Sequence, residues 1–262
     1  MSTAVMTKVD SLLVDNLSLS FGGVKVLTDI SMSLNAGDIT GLIGPNGAGK
    51  TSFFNCLTGI YSPQKGSIRM GEERLEKVPP TQRAALGFSR SFQHVALCPE
   101  LTVAENVMIG LDRLSRTGWL SAFLPLAGGR AERQHNRQRA QEALERLGIA
   151  HVADLMPSEL PPGLLRLAEI ARAIVGEPKV LLLDEPAAGL NSVETRSLAL
   201  ALKSLRSPDL VLVVVEHDMD LIMDVCDRIY VLNVGKLLAS GSPDQVRDNP
   251  DVVRVYLGDE DE

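Results

Sequence analysis

Apolar and polar residues alternate from Leu12 to Phe21 and again from Val24 to Leu34, and Gly22-Gly23 joins the two runs. A period of two broken by a glycine pair predicts two antiparallel strands. Asp38 to Ile43 reads as a short buried strand, and Thr51 to Leu57 as the first turns of a helix closed by Gly59. Gly66 to Gly71 is a further short strand and Thr81 to Leu86 a short helix. Residues 93 to about 177 are helical and more charged. Thr102-Val103-Ala104-Glu105 is a capping box opening a helix towards Leu111. In Ala131 to Leu147, Ala140, Ala143, Leu144 and Leu147 form one apolar stripe, ended by Gly148. Leu164 to Val175 is apolar nearly all round, with Arg166, Glu169 and Arg172 on a single stripe.

Two continuous apolar runs, Val180 to Leu183 and Leu210 to Val215, have the composition of parallel strands buried on both faces. Helices are expected over Ser192 to Leu205, with Asn191 as N-cap, and over Asp218 to Cys226; Ile229 to Leu238 reads as a hairpin turning at Gly235. The alternation of strands and helices predicts an α/β core with a helical insertion. The apolar loop Thr117 to Leu126, which carries the lone Trp119, is either a buried hairpin, the reading we favour, or a docking surface.

At 262 residues the chain can bury a substantial core, and with only 4% aromatic residues that core must be aliphatic. A net charge of −7 argues against a nucleic-acid partner, because no basic face is available for phosphates. Cys56, Cys98 and Cys226 have no C-x-x-C spacing, which suggests neither zinc nor disulfides and suits a reducing cytoplasm. No secretory leader is expected, and the longest uncharged apolar run, Trp119 to Gly129, is far short of a bilayer span. Any membrane role is expected to come through a partner.

The chemistry centres on Gly44-Pro45-Asn46-Gly47-Ala48-Gly49-Lys50-Thr51, which fits the phosphate-loop pattern G-x-x-x-x-G-K-[ST] between an expected strand and an expected helix. Its glycines let the backbone N–H groups turn towards a phosphate chain, and the following helix adds its positive end. Residues Gly44 to Thr51, together with Ser52, are therefore assigned to a nucleoside triphosphate. Lys50 reaches the β- and γ-phosphates, and the Thr51 hydroxyl ligates Mg²⁺. Asp184 and Glu185 emerge at the carboxyl end of the first buried strand, where α/β sheets bind ligands. Asp184 is assigned to Mg²⁺ through its water shell and Glu185 to the water that attacks the γ-phosphate. His217, at the same place on the next strand, is assigned as a γ-phosphate sensor. Gln93 stands where the core gives way to the insertion, placed to touch Mg²⁺ or the attacking water when the insertion swings in. Phe21 is either an adenine-stacking ring or a core residue.

These pieces, in this order, resemble the ATPase subunits of ABC transporters over essentially the whole chain: an aromatic A-loop (Phe21), Walker A (Gly44 to Thr51), Q-loop (Gln93), Walker B (Asp184, Glu185), D-loop (Ala188 to Asn191) and switch histidine (His217). The insertion around 113–135, Asp184 to Asn191, and the ending Gly241-Ser242-Pro243 through Val255 to Gly258 narrow the resemblance to the importers of branched-chain amino acids, urea and short amides. The resemblance implies a P-loop NTPase core of RecA type (1–92 and 178–236) with an antiparallel β subdomain, a helical subdomain (93–177) and a C-terminal extension (237–262). It also implies ATP and Mg²⁺ as ligands, and membrane permeases, a second ATPase and, indirectly, a solute-binding protein as partners. The implied location is the cytoplasmic face of the cell membrane. Residues 93–99 are expected in the groove that receives the permease's coupling helix. Three other readings fit less well. A lipopolysaccharide exporter would lack the apolar insertion, a soluble repair or translation ABC protein would carry tandem cassettes, coiled coils or a basic surface, and a small-molecule kinase would leave Glu185 and His217 without a purpose.

One stretch departs from the family. Its signature, close to Leu-Ser-Gly-Gly-Gln, should stand where this chain has Leu160-Pro161-Pro162-Gly163-Leu164. In the family each signature reaches across a head-to-tail dimer to the other subunit's γ-phosphate. Here the hydroxyl is missing and Pro161 has no N–H, leaving Gly163 and the helix N-terminus as a weaker cradle. One lost hydrogen bond to a charged group costs about 1.5–3 kcal/mol, roughly ten- to a hundredfold in rate. A heterodimer with an ATPase bearing an intact signature is therefore expected.

Overall fold

The computed structural model describes residues 11–91, 97–111 and 129–257. The apolar loop around Trp119 and the segment carrying Gln93 lie outside them. Strands β1 (Ser11–Phe21) and β2 (Val24–Asn35) pair in antiparallel register from Leu12 opposite Leu34 to Phe21 opposite Val24. Gly22 and Gly23 turn the hairpin at φ 53° and 87°, the left-handed pair that a two-residue connection between twisted strands requires. Next come β3 (Ile39–Ile43), α1 (Lys50–Thr58), β4 (Lys65–Met70), the short β5 (Glu73–Arg74), α2 (Pro80–Ala85) and β6 (Phe88–Arg90). The helical segment holds α3 (Val103–Ile109), α4 (Gly129–Arg146) and α5 (Pro162–Ile174). The chain then runs through β7 (Val180–Asp184), α6 (Ser192–Ser204), β8 (Val211–Val215), α7 (Met219–Val225), β9 (Arg228–Asn233), β10 (Lys236–Gly241), α8 (Pro243–Arg247) and α9 (Pro250–Leu257).

Two sheets form among the described residues: β2-β1-β4-β5, antiparallel, and β10-β9-β3-β8-β7-β6, parallel except at β10. The central strands of the second sheet are buried on both faces, which explains their unbroken apolar runs. Leu181, Leu183, Leu212 and Val214 pack on the helical side with Val107, Leu144, Ile170 and Leu202. Leu182, Val211, Val213 and Val215 pack on the other side with Phe53, Phe54, Leu57 and the antiparallel sheet. Each such aliphatic side chain contributes roughly 1.5–3 kcal/mol on burial.

The capping box at Thr102 is present: its hydroxyl accepts the Glu105 N–H, and the Glu105 carboxylate accepts the Thr102 N–H. On α5 the polar stripe turns inward: Arg166 and Glu169 are buried and paired at 2.9 Å, and the half-buried Arg172 lies 3.8 Å from Glu169. Arg83, also buried, caps the carboxyl end of α1 by donating to the carbonyls of Cys56 and Leu57, both at 2.6 Å. That places a cation at the negative end of the helix. β10 pairs with β9 as far as Gly241, so a core boundary at 236 would cut through a strand of the sheet. Four elements had no counterpart in the sequence: the two-residue β5, β6, whose only apolar residue is Phe88, and the short helices α8 and α9.

Candidate functional site

Register assembles the site. In the parallel sheet Leu42 stands opposite Val215, and Val215 opposite Asp184, so β3, β8 and β7 end in one row. The loops that leave them therefore share one edge: Gly44 to Gly49, Glu185 to Asn191, and Glu216 to Asp218. Gly44 has φ 150°, and a Cβ there would lie 2.2 Å from the carbonyl oxygen of Leu232. Only glycine lets the loop lie that close to β9. Gly235 N–H holds the loop from outside by donating to Ala48 O at 3.1 Å, and inside the loop Ala48 N–H donates to Pro45 O at 3.1 Å. Among the described residues no side chain caps α1, and its first turn holds no acidic residue. Thr51 and Ser52 sit on that first turn.

Lys50 is almost wholly buried, and its Nζ folds back to donate to Gly44 O at 2.6 Å and Pro45 O at 3.1 Å. Burial pushes its pKa below the ordinary lysine value, while the charges of Glu185 and Asp184 oppose that shift. The ammonium is thus held across the mouth of the loop, where a phosphate would replace carbonyls as its partner.

Asp184 is also buried. Its Oδ2 accepts from Arg90 Nη2 at 2.6 Å, and its N–H donates to Ser91 Oγ at 3.3 Å. Arg90 forks: its Nη1 donates to Asn55 Oδ1 on α1 at 2.7 Å, and its guanidinium lies 5.6 Å from the centroid of the Phe54 ring. One arginine thus ties the first acid of β7 to the helix that follows the phosphate loop. Glu185 has φ 47°, a left-handed conformation that a non-glycine residue adopts at a cost. Its N–H donates to Val215 O at 2.9 Å, which anchors the turn to the end of β8. Glu216, wholly buried, accepts the Ala187 N–H through Oε1 at 2.6 Å. Its Oε2 accepts from His217 N at 3.1 Å and from Asp218 N at 3.5 Å. Burial raises its pKa above the ordinary carboxyl value, against the pull of those N–H groups. The His217 side chain is 64% exposed, with Nδ1 3.7 Å from Glu216 Oε2.

Phe21 is not a core residue. It is 46% exposed and meets Tyr61 edge to face at 5.0 Å, so its outer face is open. Gln93 lies outside the described residues. Gly163 is buried, and its N–H already has an acceptor, Glu194 Oε1, at 2.9 Å. Pro161 and Pro162 have no N–H, and Leu164 N–H bonds Pro161 O at 3.1 Å. Every backbone donor at this start of α5 is accounted for, so the expected open cradle at Gly163 is filled by this chain's own carboxylate. The Glu194 pKa is lowered by the N–H groups of Asn191 and Gly163.

Sequence reasoning did not assign Arg90, Asn55, Glu194 or Glu216. Arg90 and Asn55 are 35 residues apart and act only because β6 lies beside β7. Glu194 was within reach, because Asn191 and Glu194 have capping-box spacing and the box is present. Glu216 directly follows an apolar strand and precedes His217, and such a buried acid invites the question of what it accepts.

The comparisons agree with this geometry. The family profile described as "ABC transporter" matches residues 27–188, and one described as "Branched-chain amino acid ATP-binding cassette transporter" matches 236–262. The high-affinity branched-chain amino acid transport ATP-binding protein LivG of Salmonella typhimurium is 44% identical over 95% of this chain and 98% of its own length. The lipopolysaccharide export system ATP-binding protein LptB of Haemophilus influenzae is 34% identical over 94% of this chain and 96% of its own. Among solved structures, MJ1267 in its ADP conformation, an ATP-binding cassette of an ABC transporter, superposes with a TM-score of 0.82 at 29% identity. That match covers 95% of this chain and 99% of the other. A phosphate loop, two acids and a histidine at the ends of adjacent parallel strands, in a chain alike from end to end to known cassettes, lead to one conclusion: this protein belongs to the ABC transporter family as one of its ATP-binding, ATP-hydrolysing subunits.

Proposed function

We propose that this subunit drives an importer of branched-chain amino acids or related small solutes, docked on membrane permeases at the cytoplasmic face of the cell membrane. What carries the reading is the likeness to LivG, which continues into the C-terminal 27 residues, where the branched-chain cassette profile applies. No helix among the described residues is long and apolar enough to cross a membrane, so anchorage through permeases fits. The lower identity to LptB ranks lipopolysaccharide export second.

ATP lies along Gly44 to Ser52, with Lys50 on its β- and γ-phosphates and Phe21 against the adenine. Thr51, Asp184 and Gln93 would hold Mg²⁺, which neutralises charge on the phosphate oxygens. The described residues hold no group of three His, Cys, Asp or Glu that could grip a metal. Asp184 accepts from Arg90 through Oδ2, and its carboxylate would face the water shell of such an ion. Glu185 accepts a proton from the attacking water, and His217 donates to the γ-phosphate. Gln93 reports the state of the site to the helical segment.

The partner ATPase is a different chain. Two copies of this one would give each site a signature without hydroxyl or free N–H, since Glu194 occupies the Gly163 donor. Paired with an intact signature, this chain's own Walker motifs form the stronger site.

The test is uptake into proteoliposomes by the transporter purified with its permeases, ATPases and solute-binding protein. ATP-dependent accumulation of leucine, isoleucine or valine supports the assignment. ATP hydrolysis without uptake of any of the three, or extraction of lipopolysaccharide instead, overturns it.

A further inference from the structure

Glu185 carries the chemistry in a strained turn, and two bonds from the end of β8 hold that turn. One is the Glu185 N–H to Val215 O at 2.9 Å. The other runs from the Ala187 N–H to Glu216 Oε1 at 2.6 Å, the shorter of the two. The second oxygen of Glu216 takes the N–H of His217 at 3.1 Å and of Asp218 at 3.5 Å. Asp218 is the N-cap of α7, its side chain accepting the Leu221 N–H at 3.0 Å. A single wholly buried carboxylate therefore grips the backbone of the Glu185 loop with one oxygen and the backbone of the His217 loop with the other. It satisfies donors that would otherwise be orphaned in the interior. Its three hydrogen bonds all come from backbone N–H groups, so its role there is to accept them.

Resting on the ATPase reading above, we propose that Glu216 is a positioning residue for hydrolysis. It locks the turn that aims Glu185 to the segment that presents His217, so that the base and the γ-phosphate sensor are placed as one unit. Neither loop can shift without breaking a bond to the same carboxylate. The φ of 47° at Glu185 is what the lock maintains. Phosphate binding through Gly44 to Lys50 does not pass through Glu216, so nucleotide affinity is insensitive to it.

The test uses the assembled transporter. Glu216→Gln keeps the side chain's shape but points an amide N–H₂ at one of the two sets of N–H donors. Hydrogen bonds to a charged acceptor are strong enough that kcat should fall about 10- to 100-fold. The KM for ATP should stay within about threefold, the signature of an interaction felt in the transition state. In a His217→Ala background the sensor is lost, but the Ala187 N–H bond to Glu216 still aims Glu185, so the same substitution should lower kcat by a smaller factor than in the otherwise native chain. Glu216→Asp keeps the charge but is too short to reach both loops, and should fall between the two. Glu185→Gln serves as control: if it leaves hydrolysis unchanged, the assignment of Glu185 as base fails, whatever Glu216 does. If Glu185→Gln stops hydrolysis and Glu216→Gln leaves kcat within twofold, the positioning role alone is overturned. It is equally overturned if kcat and KM worsen together, if the loss is the same with and without His217, or if both Glu216 variants fail to fold.

Discussion

Replacing Arg90 by methionine removes the cation from Asp184 while leaving an apolar side chain to pack on Phe54. Arg90 and Asp184 are 12% and 10% exposed, and they meet at 2.6 Å. Removing one partner of a buried pair strands the other charge and costs about 3–5 kcal/mol. Lys50, which feels the charge of Asp184, offsets part of that loss, so the lower end, about 3 kcal/mol, is expected. For a chain of this size each kcal/mol shifts the melting temperature by about 2–4 °C, giving a drop of about 6–12 °C. The assay is thermal unfolding of the purified subunit, with and without Asp184→Asn. If the cost is stranded charge, adding Asp184→Asn to Arg90→Met should restore at least half of it, because the two residues are in contact and their effects are not additive. A loss below about 1 kcal/mol, or an Asp184→Asn effect that simply adds, would refute the pairing as the reason Arg90 is there.

Gly44→Ala places a methyl group 2.2 Å from Leu232 O and should abolish most nucleotide binding in a fluorescent-ATP titration; affinity within about twofold would contradict the packing argument. Lys50→Ala in the assembled transporter should remove most ATPase activity, whereas the equivalent change in the partner should remove much less; equal losses would show that the Pro161-Pro162 signature functions. Glu194→Ala frees the Gly163 N–H for a phosphate and should raise azido-ATP labelling of the partner's Walker site, and unchanged labelling would count against the filled cradle.

The parallel sheet was legible because burial on both faces leaves a plain mark: Val180 to Leu183 and Val211 to Val215 carry no polar residue to blur the strand. The acids and the histidine were legible for the same reason, since a polar residue that ends such a run can only lie at the sheet's edge. The ties between these loops were hidden. Arg90 and Asp184 are 94 residues apart, and Ala187 and Glu216 are 29 apart. Contacts of that kind follow from strand order and register, which local periodicity does not encode. β6 escaped because an edge strand with Phe88 as its only apolar residue has almost no pattern to show. The proline-rich signature was visible as a departure, but the occupant of its one remaining donor was not. Glu194 reaches Gly163 only because α6 starts beside the start of α5.

The claim that this chain hydrolyses ATP at Glu185 has a direct measurement: nucleotide binding and turnover by the assembled transporter carrying Glu185→Gln in this subunit alone. The amide cannot accept a proton from water, whereas the phosphate loop, Lys50 and the Arg90–Asp184 pair are untouched. ATP should therefore still bind with near-native affinity and remain uncleaved, with hydrolysis reduced to the residue contributed by the partner's weaker site. Undiminished hydrolysis would contradict both the assignment of Glu185 as the base and the placement of the stronger site on this chain.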